Sequence, residues 1–232
     1  WLPGNDQVLL FSKSRIEVME EFQRADICFC LDFNELKRCG DLDELIKSFK
    51  GKKVLIDHHP NPEQFADLIF SDISVSSTAE LLAILLENLD LGPAVSYNTA
   101  ECLLTGIITD TGVFSHNSSR PETFKVIANL LQIGVNKDQI IRNIYDRFSE
   151  NRMRLFGYVL FQKMKVLHPF KTAHISLSAS ELKQFEYKDG DTEGFVNYPL
   201  SMKGIVFSAI FIEKQNYRSE ERRVGKECRS RW

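Results

Sequence analysis

The sequence predicts an α/β domain with a mostly parallel sheet and helices on both faces of that sheet, followed by part of a smaller α+β domain. Short apolar runs alternate with helix-like stretches over residues 6–72, which is the arrangement of parallel strands connected by helices. Over residues 76–149, apolar side chains recur at helical spacing. Beyond residue 150, a helix and two further apolar runs indicate a second unit.

Four stretches of the first domain predict β-strands, because each is a short, largely apolar run bounded by polar or turn-forming residues. They are, in chain order, residues 6–11, 26–32, 52–59 and 66–72. The run around Leu55 is apolar at consecutive positions, which indicates a strand buried on both faces.

Helix boundaries follow from capping residues. Ser14, with Glu17 three positions later, predicts a capping box at the start of a helix over residues 14–25. Gly51 ends a predicted helix over residues 42–51, and Pro121 suits the first turn of another helix. The remaining predicted helices cover residues 76–92, 96–112, 121–135 and 136–149.

A domain boundary is predicted near residue 150, where the sequence becomes polar and the pattern changes. The predicted organisation is a first domain at 1–148, a helical linker at 149–165, an incomplete second domain at 166–214 and a tail at 215–232. Strands of the second domain are predicted at 172–178 and 205–214. The tail lacks periodicity and carries clustered basic residues, which fits a solvated native tail or a non-native origin of Ser219–Trp232.

Composition excludes several classes of protein. A net charge of −3 over 232 residues gives no reason to expect duplex nucleic acid or an anionic membrane as a partner. A short or small anionic substrate stays compatible with this charge, because a bound metal ion can supply local positive charge. No apolar run reaches the length of a membrane span, and the first residues lack the features of a signal peptide.

Cysteine usage indicates a cytoplasmic protein. An odd number of cysteines at irregular spacing argues against a disulfide framework and fits a reducing compartment. The five are Cys28, Cys30, Cys39, Cys102 and Cys228. Cys28 and Cys30 alternate within an apolar run, so we expect core packing there in preference to metal binding.

Acids and histidines follow two neighbouring predicted strands. Asp32 ends one strand, and Asp57 ends the next, with His58 and His59 directly after it. The carboxyl ends of parallel strands share one edge of a sheet, where ligands bind, so these side chains should lie together. Asp110 stands where a helical pattern breaks at a glycine turn, and is a third candidate acid.

Carboxylates and imidazoles that converge on one edge suit divalent metals, and this combination favours manganese or magnesium over structural zinc. Two such ions can bind a phosphoryl group, activate water and stabilise the leaving oxygen. A histidine that is not a ligand could protonate the leaving group.

Each candidate also has a structural explanation. Asp32 and Asp110 could be helix caps or turn formers. Ser77 lies at a predicted helix N-terminus, which suits anion binding, although most such residues only cap the helix. His116 is expected in a loop near the site, where it could contact substrate. Asn117 could donate a hydrogen bond to phosphate or form a turn. We take Ser77, His116 and Asn117 as the candidate substrate-binding residues.

Several motifs together resemble the DHH phosphoesterase superfamily, named for its Asp-His-His triplet. They are, in chain order, “CLDFNELKRCG”, “VLIDHHPNP”, “SSTAELL”, “GIITDTGVFSHNSSRPETF” and “NYPLSMKGI”. Within the superfamily, the sequence is most similar to the bacterial group of bifunctional oligoribonucleases and 3′,5′-bisphosphate nucleotide phosphatases. This resemblance extends from Trp1 to about Glu213.

The resemblance implies a role for each residue of the edge cluster. Asp32 would bridge two metal ions, His58 would bind one of them, and Asp110 would be a shared ligand. His59 would face the scissile phosphate as general acid or phosphate contact, and Asp57 would hold the histidines in place.

The resemblance also implies a cofactor and substrates. Two Mn²⁺ ions are expected, with Mg²⁺ or Co²⁺ as alternatives, and the second, DHH-associated domain would bind the nucleotide. The expected partner is short single-stranded RNA or a 3′,5′-bisphosphate nucleotide such as 3′-phosphoadenosine 5′-phosphate. A homodimer is left open.

Two motifs of the superfamily are not found in this sequence. They are an early strand with a His/Asp/Asp metal motif and a glycine-rich, histidine-containing motif near the carboxyl end, so the sequence resembles a fragment trimmed at both ends. Alternative functions are an inorganic pyrophosphatase, a cyclic-dinucleotide phosphodiesterase, or an inactive nucleotide-binding fragment.

Overall fold

The structure, a computed structural model, describes residues 1–214 and 217–224 and divides the chain into two units, 1–146 and 147–232. The helices and strands of the first unit are α1 (Arg15–Arg24), β1 (Ile27–Leu31), α2 (Asp43–Ser48), β2 (Lys52–Asp57), β3 (Leu68–Ser71), α3 (Thr78–Asn88), α4 (Tyr97–Asp110), α5 (Pro121–Gln132) and α6 (Lys137–Tyr145). Those of the second unit are α7 (Glu150–Tyr158), β4 (Met164–Leu167), β5 (Thr172–Leu177), α8 (Ala179–Gln184), β6 (Phe207–Lys214) and β7 (Tyr217–Val224). Short 3₁₀ turns cover Asn5–Gln7, Leu36–Leu42, Gly92–Ala94, His168–Phe170 and Phe195–Ser201.

The first unit is built on a parallel three-stranded sheet in the order β1-β2-β3. Its central strand, β2, is buried at four consecutive positions that end at Asp57. The register pairs Leu31 with Ile56 and Asp57 with Ser71, so all three strands end at the same edge. This parallel pairing determines which side chains meet beyond the strands.

Helices cover both faces of this sheet, which confirms the predicted α/β fold. Leu55 packs in one cluster with Ile46 of α2 and Leu36. Its neighbours Val54 and Ile56 point to the opposite face, as strand alternation requires, and pack with Leu81 of α3. Val54, Leu55 and Ile56 are therefore removed from water on both faces of the sheet, which explains why this part of β2 is continuously apolar.

A helical layer of α4, α5 and α6 forms the largest core of the first unit. Leu104, Ile107 and Ile108 of α4 pack against the buried faces of α5 and α6. The three side chains have no exposed surface. This packing fixes the carboxyl-terminal turn of α4, where Asp110 is the last helical residue.

The predicted strand over residues 6–11 is wrong. Those residues form a 3₁₀ turn at Asn5–Gln7 followed by irregular chain, and Val8, Leu9 and Leu10 are exposed. Among the residues that the structure describes, no strand pairs with this segment, and an isolated strand lacks the ladder that stabilises it. The predicted capping box is also wrong, because Ser14, the residue before α1, makes no side-chain cap hydrogen bond.

The second unit contains a four-stranded sheet in the order β4-β5-β6-β7, with β5 and β6 parallel and the outer pairs antiparallel. The segment 149–165, expected as a helical linker, includes α7 and a π turn at Val159–Lys163. Leu155 of α7 and Val159 are fully buried with Ile175 of β5. The helix is thus part of the core of the second unit.

Part of the predicted tail is a strand. Tyr217–Val224 pairs antiparallel with β6, in a register that joins Phe207 to Val224 and Lys214 to Tyr217. Residues 215–216 and 225–232 lie outside the described residues, and the non-native origin of Ser219–Trp232 stays a prediction. Within the described ranges, no helix is both long and apolar enough to cross a membrane.

Candidate metal centre and active site

The carboxyl edge of the parallel sheet brings together the acids and histidines that the sequence singled out. Asp32 directly follows β1, and His58 and His59 directly follow Asp57, the last residue of β2. Asp110 reaches the same place from the end of α4. Two adjacent strand ends and one helix end therefore contribute to a single cluster.

His58 lies between two carboxylates. Its Nε2 atom is 3.7 Å from Oδ1 of Asp32 and 3.7 Å from Oδ2 of Asp110. Both distances exceed those of good hydrogen bonds and leave room for an ion among the three groups. The imidazole rings of His58 and His59 lie edge to face, with centroids 4.7 Å apart.

Asp57 is fully buried and directs both of its oxygens at His59. Oδ1 lies 2.7 Å from Nδ1 of His59, and Oδ2 accepts a hydrogen bond from the backbone N–H of His59 at 3.0 Å. An ionised carboxylate only accepts hydrogen bonds, so Nδ1 carries a proton and Nε2 is the free ring nitrogen. The geometry favours the predicted supporting role of Asp57.

Electrostatics favours a cation in this cluster. Burial raises the pKa of the Asp110 carboxyl, and the nearby charge of Asp32 raises it further, while His58 and His59 lower it. Two carboxylates held close together repel each other, and a bound cation relieves that repulsion. The donor set thus fits a divalent ion in both geometry and charge.

The backbone at Asp32 adopts an unusual conformation, with φ at 67°. This left-handed region is uncommon for residues other than glycine and costs energy, although aspartate tolerates it better than most. The Asp32 carboxylate accepts a hydrogen bond at 2.8 Å from the hydroxyl of Thr78, the first residue of α3. Sequence reasoning missed Thr78, although its position one residue after Ser77 placed it at the same sheet edge.

The turn after Asp110 positions His116. Gly112, Val113 and Phe114 all have positive φ, of 54°, 55° and 64°. A Cβ atom on Gly112 would lie 3.2 Å from Cδ2 of His116, so the imidazole lies directly over the glycine. The backbone of this turn is strained, because Val113 is β-branched and adopts a left-handed conformation.

Of the three candidate substrate-binding residues, two are accessible. His116 and Asn117 are exposed, and Asn117 also has a positive φ of 47°, which fits its turn role. Ser77 is buried, and its hydroxyl caps α3 by accepting a hydrogen bond from the N–H of Glu80 at 3.1 Å. This geometry favours the capping role of Ser77, and the substrate contacts of all three stay predictions.

One group in the described part of the chain has ligand atoms close enough to hold a metal ion. Ligand atoms of Asp32, His58 and His59 all lie within 4.8 Å of one another, and Asp110 contacts His58 from the helix side. Oxygen and imidazole ligands of this kind suit Mn²⁺ or Mg²⁺. The structure thus contains a candidate Asp/His metal site.

Comparison with known proteins identifies the family. The model of the DHH family, N-terminal domain, matches residues 3–107, which include β1, β2 and the cluster residues that follow them. Residues 3–107 belong to the DHH family, N-terminal domain. The matched range contains the Asp57-His58-His59 triplet.

The chain is similar to several proteins. An uncharacterised protein of Mycoplasma pneumoniae is 37% identical over 133 residues, which are 57% of this chain and 39% of that protein. The bifunctional oligoribonuclease and PAP phosphatase of Bacillus subtilis is 26% identical over 198 residues, which are 85% of this chain and 61% of that protein.

A solved structure extends the comparison to both units. The match to the crystal structure of an exopolyphosphatase-related protein from Bacteroides fragilis covers 97% of the present chain and 66% of the Bacteroides chain. The TM-score is 0.93 and the sequence identity is 39%. The present chain thus spans less than two thirds of the length of each of these three proteins.

Proposed function

We propose that the protein is a metal-dependent phosphoesterase that hydrolyses short oligoribonucleotides and 3′-phosphoadenosine 5′-phosphate. The observation that carries this proposal is the position of His58, 3.7 Å from both Asp32 and Asp110, beside a second histidine that a buried carboxylate holds. Phosphoester hydrolysis needs a site that binds cations and orients a proton donor, and this cluster supplies both kinds of group.

Three side chains of the cluster are the proposed metal ligands. Asp32, His58 and Asp110 would hold the metal, with Mn²⁺ as the proposed ion because oxygen and imidazole ligands suit it. The resemblance to the DHH superfamily implies a second ion of the same kind. A bound divalent ion supplies Lewis-acid activation of water and neutralises phosphate charge.

His59 is the proposed contact for the scissile phosphate. Its Nδ1–H is held by Asp57, so the ring presents Nε2 to the space beside the metal ligands. In the protonated form, Nε2 donates to a phosphate oxygen or to the leaving oxygen. The 2.7 Å contact between Nδ1 and Oδ1 of Asp57 fixes the orientation of the ring.

The choice of substrate is supported by the relative from Bacillus subtilis, which is named a bifunctional oligoribonuclease and PAP phosphatase. A net charge of −3 also suits a short substrate better than a long polyanion. We propose that the reaction takes place in the cytoplasm, because the four cysteines of the described residues are free thiols.

A product analysis tests this proposal. Labelled di- and trinucleotide RNA and 3′-phosphoadenosine 5′-phosphate are incubated with the protein, with Mn²⁺ or with a chelator. We expect mononucleotides from RNA and loss of phosphate from the bisphosphate, only with the metal. His58→Ala should abolish turnover, and His168→Ala, an exposed histidine of the second unit, should not.

Three competing substrates complete the experiment. Pyrophosphate, polyphosphate and cyclic di-adenylate represent the alternative hydrolase activities. If the protein hydrolyses one of these instead of RNA and the bisphosphate nucleotide, the proposed substrate is wrong. The proposed metal-dependent hydrolysis of a phosphate bond would still stand. No hydrolysis of any of the substrates with metal present would overturn the whole proposal.

A further inference from the structure

Thr78 links the first turn of α3 to Asp32, a residue 46 positions earlier in the chain. Its Oγ1 lies 2.8 Å from Oδ1 of Asp32. A carboxylate accepts only, so the threonine hydroxyl donates. Oδ1 is also the oxygen that lies 3.7 Å from Nε2 of His58, which means that Thr78 fixes the atom facing the imidazole.

Asp32 needs such a partner. Its side chain is 56% exposed, and its backbone is held in the left-handed region at φ 67°. Within the described part of the chain, Thr78 is the one hydrogen-bond donor to this carboxylate. An exposed carboxylate without a fixed donor samples several rotamers and loses that freedom when it binds an ion.

Thr78 is itself held rigidly, because the turn that carries it is anchored on both sides. It is 6% exposed and β-branched, so few side-chain rotamers are open to it. Fully buried Glu80, two residues after Thr78, accepts a hydrogen bond at 2.7 Å from the N–H of Ser76, two residues before Thr78. The N–H of Glu80 donates to the hydroxyl of Ser77 at 3.1 Å. The hydroxyl of Thr78 is therefore presented from a fixed point of the core.

We infer that Thr78 is a positioning residue of the metal site, which orients the Asp32 carboxylate for a divalent cation before the ion binds. This inference rests on the proposed function insofar as it takes the cluster to be a metal site. Partners of metal ligands of this kind typically change metal affinity about 10- to 100-fold when they are removed. The proposed role of Thr78 involves no contact with substrate or the reacting atoms, because Thr78 acts through Asp32.

The test measures Mn²⁺ affinity by calorimetry in the wild type and in substituted proteins. Thr78→Val keeps the shape of the side chain and removes the donor, so we expect Mn²⁺ to bind about 10- to 100-fold more weakly. Thr78→Ser keeps the hydroxyl and should restore affinity close to that of the wild type. Thr78→Ala removes the same donor with a smaller side chain. Its Mn²⁺ affinity tests the inference if Thr78→Val does not fold.

Thr123→Val is the matched control. It also removes a hydrogen bond between a threonine hydroxyl and a carboxylate. That carboxylate belongs to Glu80 of α3, which is not a proposed metal ligand. We expect a lower melting temperature with unchanged Mn²⁺ affinity. The electron paramagnetic resonance spectrum of bound Mn²⁺ gives a second readout, which should change in Thr78→Val and stay as in the wild type in Thr123→Val.

The inference would be overturned if Thr78→Val and Thr78→Ala bound Mn²⁺ with wild-type affinity. It would also be overturned if Thr78→Ser or Thr123→Val lost as much Mn²⁺ affinity as Thr78→Val, or if the wild type bound no Mn²⁺. Failure of the proposed function is distinguishable from these. A wild type that binds Mn²⁺ with the expected dependence on Thr78 but hydrolyses no phosphoester contradicts the proposed activity and supports this inference.

Discussion

Nδ1 of His59 lies 2.7 Å from Oδ1 of Asp57, a carboxylate with no exposed surface. The pair fixes the ring orientation and the tautomer of His59 at the edge of the site. We predict that Asp57→Asn lowers kcat/KM on short RNA by about 10²- to 10⁴-fold, because an amide can donate to Nδ1 and favour the wrong tautomer. Asp41→Asn, at an exposed aspartate, should change little, and an active Asp57→Asn protein would contradict the assigned role.

The contact between α3 and α4 depends on a glycine. A Cβ atom on Gly106 would lie 2.7 Å from Cβ of Ala79, and both positions belong to packed helices. We predict that Gly106→Ala lowers the free energy of unfolding by about 1–3 kcal/mol, as overpacking does. Gly157→Ala in α7, where a Cβ meets nothing within 4 Å, should instead be neutral or stabilising. Urea unfolding of both variants is the measurement, and equal stabilities would contradict the prediction.

Acid should destabilise the second unit through Glu181. Burial raises the pKa of this carboxyl, but hydrogen bonds from Lys163, Ser178 and Tyr158 outweigh burial and lower the pKa from 4.5 to about 2. Because the folded pKa lies below the unfolded one, the contribution is complete above about pH 4.5 and is lost as the pH falls toward about 2. Because solvent screens this partly exposed group, the contribution amounts to on the order of 1–2 kcal/mol at neutral pH.

Urea unfolding at pH 7, 4 and 3 checks this prediction. The wild type should lose stability over that interval, and Glu181→Gln should be less stable at pH 7 with a flatter dependence on pH. Glu193→Gln, at an exposed glutamate of the same unit, serves as the comparison. A Glu181→Gln protein that follows the wild-type curve would show that these hydrogen bonds contribute nothing.

Cys28 is expected to be the most reactive of the described thiols at neutral pH. A hydrogen bond with Cys30, whose Sγ lies 4.0 Å away, lowers the pKa of the Cys28 thiol, burial raises it, and Lys53 lowers it, with the balance at about 7. Burial and the charge of Glu101 raise the pKa of the exposed Cys102. Mass spectrometry after brief iodoacetamide treatment at pH 7 should find Cys28 modified before the other three described cysteines. Faster modification of Cys102 would contradict this.

Much of the fold was predictable because local patterns determine it. The apolar run of β2 required burial on both faces, and the parallel sheet that resulted brought Asp32 and His58 to one edge. The strand expected at 6–11 failed because a strand needs a neighbour, and the sequence of Val8 to Leu10 carries no information about pairing. Phe29 of β1 pairs with Val54 but is 59% exposed, because α3 packs on β2 at the centre of that sheet face.

The ionisable residues of the site could be predicted from the sequence, but the residues that orient them could not. Ser77 was the candidate hydroxyl, but the structure uses it as the cap of α3 and directs its neighbour Thr78 to Asp32. Adjacent residues at a helix start point in different directions, so motif position alone cannot distinguish them. The left-handed turn that carries His116 was equally hidden, because Val113 and Phe114 rarely adopt positive φ.

A divalent cation in the edge cluster would be held by a nitrogen of His58 and by the carboxylates of Asp32 and Asp110. Pulsed electron–nuclear double resonance on the Mn²⁺-loaded protein tests this set of ligands, because a directly bound imidazole gives a ¹⁴N coupling. We expect this coupling in the wild type and in His168→Ala, and its loss in His58→Ala. A Mn²⁺ spectrum without nitrogen coupling, or one that is unchanged in His58→Ala, would show that His58 is not a metal ligand.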